Sequence, residues 1–481
     1  MTPDTPRRNA LVRFLALSVA LAAGTIAMAA INPFGLFGDD LSFYCGSAAL
    51  LHGADPYLHV SIFSCERDVH AWFLPAHEGI KVSLPAVWPP YALLAYVPFA
   101  LLSFGTSLTL WLLLNIVAAA SAAERLRVAL TNVSAWLIYA LVGISVLASG
   151  LRYGQPTGIL LLATVALATS YRARSERGVA GWLAVSAVQP HIALAGGLAL
   201  LIAGGRWTFR PLLVAAAIVA LLSAFTPRLD VEYLAAVLPA HAAANILDPW
   251  QFAIPSSLAQ AGVAIPLALR LGALVYAAAI AGGIALGAMV ARRTGRAEAL
   301  PWVATLFGTI GAPHVHYQQL AAVLPAAFLL ISVSAIALPA IVCAYAIAIP
   351  WGVFCTMQFG WAFPMLPALG AFRFSSAGVQ RVVAVALLLL AVQIAVTIPF
   401  NALYHPEGPF HAVPLPPNAL AEESWAAYTR WEAPSYTAAL LAAKCVTWLA
   451  ELGLVVLCVF AARAAASARA VRTEPVPASV V

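Results

Sequence analysis

The chain reads as an all-α polytopic membrane protein, and three observations predict it. Of 481 residues, 63% are hydrophobic and 9% charged, where a soluble domain carries about 25% charged residues. Apolar runs long enough to span a bilayer recur almost to the carboxyl terminus, and in lipid such runs close their backbone hydrogen bonds as helices. The loops between them segregate charge by sign. Arg7, Arg8, Arg13, Arg125, Arg127, Arg172, Arg174, Arg177, Arg206, Arg210, Arg292, Arg293, Arg296, Arg373, Arg381, Arg463, Arg469 and Arg472 fall in one set of loops. Asp39, Asp40, Asp55, Glu66, Asp68, Glu78, Asp230, Glu232, Asp248, Glu407, Glu422, Glu423 and Glu432 fall in the other. A soluble multidomain protein is excluded. The net charge of +6 is spread through short loops and does not point to nucleic acid.

Basic loops stay in the cytoplasm, so both termini are expected there, in the cytoplasmic (inner) membrane. The first span covers 12–31. Ala27-Met28-Ala29 resembles a signal-peptidase site, yet the span is long for a signal core and opens a series of spans, so it reads as uncleaved. A long outer loop, 32–85, follows. The apolar stretch 86–103 would reverse the side of the next arginine loops if it crossed, so it is expected to lie in the outer leaflet. Further spans are expected at 106–122, 132–150, 155–170, a short hairpin 179–204, 208–227, 266–290, 301–317, 319–335, one or two within 336–372, 381–399 and 437–460. The total is roughly 11–13 helices. Further outer loops are 228–258 and 400–436. The natural division is a core of 1–335 and a carboxyl-terminal set of helices, 336–481. No internal repeat is visible, so the inverted repeats of many transporters are missing.

Two adjacent carboxylates, Asp39 and Asp40, stand at the exit of the first span. Ionisable groups at such a boundary are functional-site candidates. One of them is expected to cap a helix running from Leu41 to His52 and ended by Gly53, and Asp40, Tyr44 and Ala48 share one face at four-residue spacing. Asp55-Pro56-Tyr57 then reads as a turn. Either aspartate serves simply as a cap if no chemistry takes place there.

These pieces resemble the GT-C glycosyltransferases, and among them glycosyltransferase family 87. The family pattern D-[L/F]-x-x-Y, a helix, then L-x-x-G-x-x-P-Y is matched by Asp40 to Tyr44 and by Leu50 to Tyr57. Its aromatic-Pro-Pro segment is matched by Trp88-Pro89-Pro90-Tyr91, a Gly-Gln pair by Gly154-Gln155, and a Pro before a Tyr by Pro313 and Tyr317. The order agrees over about residues 10–330. Two positions depart: Gln189, before Pro190 and His191, stands where members often carry Lys, and Gln318 where an acidic residue often follows the Tyr. The resemblance implies a GT-C-like bundle that transfers a sugar, often mannose, from a polyprenyl phosphate to a lipid or glycan acceptor at the outer, periplasmic face.

Such an inverting transfer needs one carboxylate to take the acceptor proton. Polyprenyl phosphate is already a good leaving group, so the acid of a glycosidase pair is not required. Asp40 is the expected base, with Asp39 as the fallback. The departing phosphate needs cations or donors, and the outer-side candidates are Arg152, Gln189, His191, His314, His316 and Arg228. Tyr44, Asp55, Tyr57, Gln155, Tyr317 and Gln318 are the candidates for sugar or acceptor contacts. Arg152 also reads as an interfacial snorkelling arginine, and each histidine as a packed one. No ligand spacing demands a metal, so no cofactor is expected. Cys45 and Cys65 share the outer loop, where oxidation is allowed, and their spacing leaves pairing open. Cys343, Cys355, Cys445 and Cys458 read as small packing residues. Lys444 and Glu451, seven apart in the last span, read as a structural pair or an interfacial anchor. A transporter or flippase of a polyprenyl-linked glycan, or a non-catalytic envelope assembly protein, would need the same bundle without the carboxylate chemistry.

Overall fold

The computed structural model describes residues 5–31, 37–73, 82–143, 145–248, 251–348, 410–412, 414–432 and 438–473. The span expected at 381–399, most of 336–372 beyond residue 348, Cys355 and the first part of the outer loop 400–436 lie outside them. The described residues are almost entirely helical, and their strand-like contacts are two isolated bridges, Leu58 with Leu420 and Gln251 with His316.

Six helices are long and apolar enough to cross a membrane, and a seventh candidate is a pair, Tyr317–Ile331 and Ser334–Ala348, bent by 116°. Four shorter apolar helices join them, so the described residues hold six or seven candidate spans where roughly 11–13 were expected of the whole chain. Helix α1 (Thr5–Ile31) leads to α2 (Gly38–Leu51), α3 (His59–Phe73) and α4 (Pro90–Ala100). The 11 residues of α4 rise only about 16 Å, too little to cross, as the charge pattern requires of 86–103. Then come α5 (Phe104–Ala129), the broken pair α6 (Ala135–Gly143) and α7 (Leu147–Tyr153), and α8 (Thr157–Arg172). The hairpin expected at 179–204 is formed by α9 (Glu176–Ser186) and α10 (Pro190–Ala203). Helices α11 (Phe209–Ser223), α12 (Pro227–Glu232), α13 (Leu238–Asn245) and α14 (Ile254–Gln260) lead to the long α15 (Ile265–Thr294). They are followed by α16 (Ala299–Gly311), α17 (Leu324–Ile331), α18 (Ala337–Ala348), α19 (Ala421–Glu432) and α20 (Ala438–Thr473).

Two cores fix the frame. The larger joins α1, α5 to α8, α16 to α18 and α20 around Trp302, Leu320 and Phe328. The second lies between α2, α4 and α5, where Phe43, Tyr57, Trp88, Tyr96 and Trp111 pack together, with the Phe43 and Trp88 rings stacked at 3.8 Å. Arg172 bonds the buried Glu298 at 3.1 Å, which ties the end of α8 to the start of α16. A Cys45–Cys65 disulfide joins α2 to α3 and settles the question that the spacing left open.

Candidate active site

Helix α2 begins three residues earlier than expected, at Gly38 rather than Leu41. Its N-cap is Phe37, in the left-handed region at φ 55° and with no side-chain capping bond. The Phe37 N–H instead donates to the Arg152 carbonyl at 2.8 Å. Asp39 and Asp40 are therefore not caps but lie in the first turn, where the helix dipole favours negative charge. The far end is as expected, with Leu51 last, His52 as C-cap and Gly53 at φ 69°.

The two carboxylates face different partners. Asp39 is half-buried and accepts a bond from Gln155 Nε2 at 2.8 Å. Asp40 is fully buried, and its Oδ1 accepts a bond from the Tyr96 hydroxyl at 2.6 Å. Asp40 Oδ2 is buried with no hydrogen-bond partner. Burial, only partly offset by the Gln155 bond, raises Asp39 from 3.8 to about 6. Burial, opposed by the Tyr96 bond and reinforced by Asp39, raises Asp40 from 3.8 to about 7. Loss of hydration disfavours the charged form more than one hydrogen bond restores it.

The floor of the pair is the turn after α7. Gly154 has φ 79°, and a Cβ there would lie 2.3 Å from Asp40 Cβ, so only glycine fits. Trp111 Nε1 donates to the Gly154 carbonyl at 2.7 Å. Gly158 touches α5 equally closely, since a Cβ there would meet the Asn115 carbonyl oxygen at 2.0 Å. Arg152 is fully buried. Its guanidinium lies 4.7 Å from the Tyr153 ring centre, and Tyr153 packs edge-on against Tyr317 at 6.4 Å. That stack connects the Asp pair to the segment that follows α16.

Four histidines meet there. His314 lies 4.7 Å from His316, 5.1 Å from His241 and 6.0 Å from His191, ring centre to ring centre. The Gln251 amide reaches a ring nitrogen of His314 at 2.8 Å and one of His316 at 3.1 Å, and its Oε1 accepts from the Val315 N–H at 3.0 Å. Asn245 holds His241 at 3.0 Å, and Asp248 stands 3.8 Å from His316. Burial first, then the neighbouring imidazoles, lowers His241 to about 3 and His314 well below its usual value. Burial, His191 and Lys444 lower His316 to about 3. The cluster is neutral as it stands. Lys444 in α20 is buried and donates to the Gln251 carbonyl at 2.7 Å and to Gln260 Oε1 at 3.3 Å. The pairing of Lys444 with Glu451 expected from their spacing is not made. Gln189 precedes α10 and its Oε1 accepts from Gln319 Nε2 at 2.8 Å. Among the described residues, no three or more His, Cys, Asp or Glu are placed to hold a metal ion.

The structure joins Asp39, Asp40 and Gln155 at the turn that Arg152 precedes. It gathers His191, His314 and His316 in a separate cluster, seats Gln189 against Gln319, and sets Tyr317 against Tyr153 and Gln318 near Gly150. It gives Tyr44, Asp55 and Tyr57 structural bonds. Tyr44 donates to the Leu102 carbonyl at 2.9 Å and Tyr57 to the Trp88 carbonyl at 2.8 Å. Asp55 Oδ1 accepts the Tyr57 N–H at 2.9 Å and closes the turn. Tyr96, His241, Gln251 and Lys444 were not singled out by sequence as parts of this region. A lone lysine inside an apolar span is the signal that marks Lys444. The other three sit in runs where packing explains them equally well.

No curated protein and no solved structure matches the chain. The model of glycosyltransferase family 87 matches residues 86–313. That stretch holds Trp88-Pro89-Pro90-Tyr91, Gly154-Gln155, Gln189-Pro190-His191 and Pro313. It is narrower than the resemblance read from the motifs, since Asp39 and Asp40 precede it and His314, His316 and Tyr317 follow it. The family that the motifs resemble is thus the family whose model matches residues 86–313 of this chain, and that match suggests a glycosyltransferase.

Proposed function

We propose that the chain is an integral-membrane inverting glycosyltransferase. It moves a hexose, with mannose the family's first implication, from a polyprenyl-phosphate donor to a hydroxyl of a lipid or glycan acceptor on the periplasmic face of the cytoplasmic membrane. The observation that carries the reading is Asp40: a buried carboxylate seated on the Gly154 turn of the family-matched segment, with one oxygen anchored and the other without a partner. A buried acceptor atom without a partner is costly, and an acceptor hydroxyl donating to Oδ2 removes that cost.

In this mechanism the acceptor oxygen attacks the sugar's anomeric carbon from the face opposite the phosphate. Its proton passes to Asp40 Oδ2, the bond from the anomeric carbon to the phosphate oxygen breaks, and polyprenyl phosphate departs as an anion. A carboxylate raised to about 7 is a stronger base than an ordinary one and is still largely ionised just above neutrality. His191, two residues into α10, stands at a helix N-terminus, where backbone N–H groups favour anions. With His314, His316, Gln189 and Arg152 it supplies donors to the leaving phosphate. Gln155, Tyr317 and Gln318 remain candidates for sugar contacts. No metal or other cofactor enters the scheme. The Cys45–Cys65 disulfide supports an oxidising side for α2 and α3, which agrees with the arginine pattern.

One observation favours a second reading of the base: Asp39 is half-buried where Asp40 is sealed. Membranes given radiolabelled polyprenyl-phosphate mannose separate the two. Asp40→Asn is expected to lower transfer by about 10²–10⁴-fold, with Asp39→Asn less affected. The opposite ranking makes Asp39 the base. Wild-type transfer by both variants, or movement of the labelled lipid with no glycosidic bond formed, overturns the reading, and the second of these outcomes favours a transporter.

A further inference from the structure

The geometry points to Tyr96 as the positioning residue of the base: its hydroxyl fixes Asp40 Oδ1 so that Oδ2 is left as the proton-accepting oxygen. This rests on the reading of Asp40 as the base. The hydroxyl lies 2.6 Å from Asp40 Oδ1, the short distance of a charge-assisted O–H···O⁻ bond. It also lies 3.3 Å from Ser107 Oγ, which gives the phenol a second anchor from α5. The ring itself is clamped. Trp111 at 5.0 Å and Trp88 at 5.9 Å pack against it edge-on and Phe99 lies tilted beside it at 5.0 Å, and Tyr96 is 2% exposed. A phenol held so firmly offers its proton in one direction, and that direction is Asp40.

The surroundings of Asp40 leave few other groups to do this. Helix α2 presents Asp39, of like charge and engaged by Gln155, and Tyr44, engaged by the Leu102 carbonyl. The turn after α7 presents the backbone of Gly154. Helix α5 reaches Tyr96 through Ser107 and the Gly154 carbonyl through Trp111. Tyr96 is thus the side chain that donates to Asp40, and its bond favours the ionised carboxylate. Removing the hydroxyl raises the pH at which Asp40 loses its proton, and it also frees the carboxylate to rotate.

The spectroscopic arm of the test uses the full chain in detergent and needs no acceptor, and the transfer arm uses membranes that carry their own. In pH-difference infrared spectra, the protonated-carboxyl band missing from Asp40→Asn reports Asp40, and the one missing from Asp39→Asn reports Asp39. Tyr96→Phe keeps the ring and its packing. It is expected to move the Asp40 midpoint upward by about one pH unit or more, leaving the Asp39 midpoint in place. Ser107→Ala is expected to shift the Asp40 midpoint in the same direction by less. The acid limb of mannose transfer from labelled polyprenyl-phosphate mannose is expected to move with the Asp40 band. An unmoved Asp40 midpoint in both variants overturns the assignment, as does a Tyr96→Phe protein whose rate falls equally at every pH. Wild-type transfer by Asp40→Asn would sink the choice of base instead, while the infrared shift would still report whether Tyr96 holds Asp40.

Discussion

Replacing Gly154 by alanine tests the contact on which the candidate site is built. Two costs add. The backbone there has φ 79°, where an L-residue with a Cβ loses about 1–2 kcal/mol. The new methyl would also lie 2.3 Å from Asp40 Cβ, 3.0 Å from its N and 3.1 Å from its Cα. Since those are backbone and near-backbone atoms, α2 must shift, at a cost of about 1–3 kcal/mol. The total is about 2–5 kcal/mol, and the shift falls on the carboxylate pair. A displacement of that kind costs transfer about 10²-fold. Gly53→Ala is the control. Gly53 has φ 69° with nothing within 4 Å of its Cβ position, so it carries strain without a clash. The assay is sugar transfer in membranes alongside thermal unfolding of the solubilised protein. Gly154→Ala should lose both activity and stability, and Gly53→Ala should lose about 1–2 kcal/mol of stability and keep transfer. Equal transfer by the two variants would refute the idea that the glycine turn seats Asp40.

Three further outcomes follow from the same geometry. With Asp40 raised to about 7 and ionised when it acts, transfer should climb as pH rises through about 7 and level off above it; a rate already flat from pH 5 upward would contradict the base assignment. The same raised values for Asp39 and Asp40 work the other way on stability, which should be greatest below about pH 4 for these groups and decline as pH rises through about 6–7, as read by unfolding of wild type against Asp39→Asn and Asp40→Asn. The Cys45–Cys65 bond should keep both thiols from maleimide until reductant is added, and the double serine variant should lose about 2–4 kcal/mol; two thiols that label freely without reductant would count against the bond.

Much of the frame was legible because it rests on local rules. Arginines on one side, acidic residues on the other and a long apolar run between them fix a span without knowledge of its neighbours. Gly53 and the Asp55-Pro56-Tyr57 turn were equally readable, being decided within a few residues. Asp39 and Asp40 were visible as a pair, but their roles were not. The capping rule assumed that their side chains serve their own helix, whereas Gln155 and Tyr96, 116 and 56 residues away, claim them first. Tyr44 and Tyr57 look like ligand-binding aromatics in sequence and spend their hydroxyls on backbone carbonyls in the fold. The meeting of His241 with His314 and His316 has no sequence signature, because its cause is the Gln251 bridge to His316 and the packing of α13 nearby.

Lys444 carries a consequence for how the molecule can be dissected. A fragment of residues 1–335 would retain Asp40, Gly154 and every histidine of the cluster, and would include the whole family-matched stretch. It would still lack the ammonium that holds the Gln251 carbonyl, and with it the support beneath His314 and His316. The histidine cluster is therefore not modular. Expression of an amino-terminal fragment is a trial of complementation, in which α20 must be returned as a separate chain before those imidazoles regain their place.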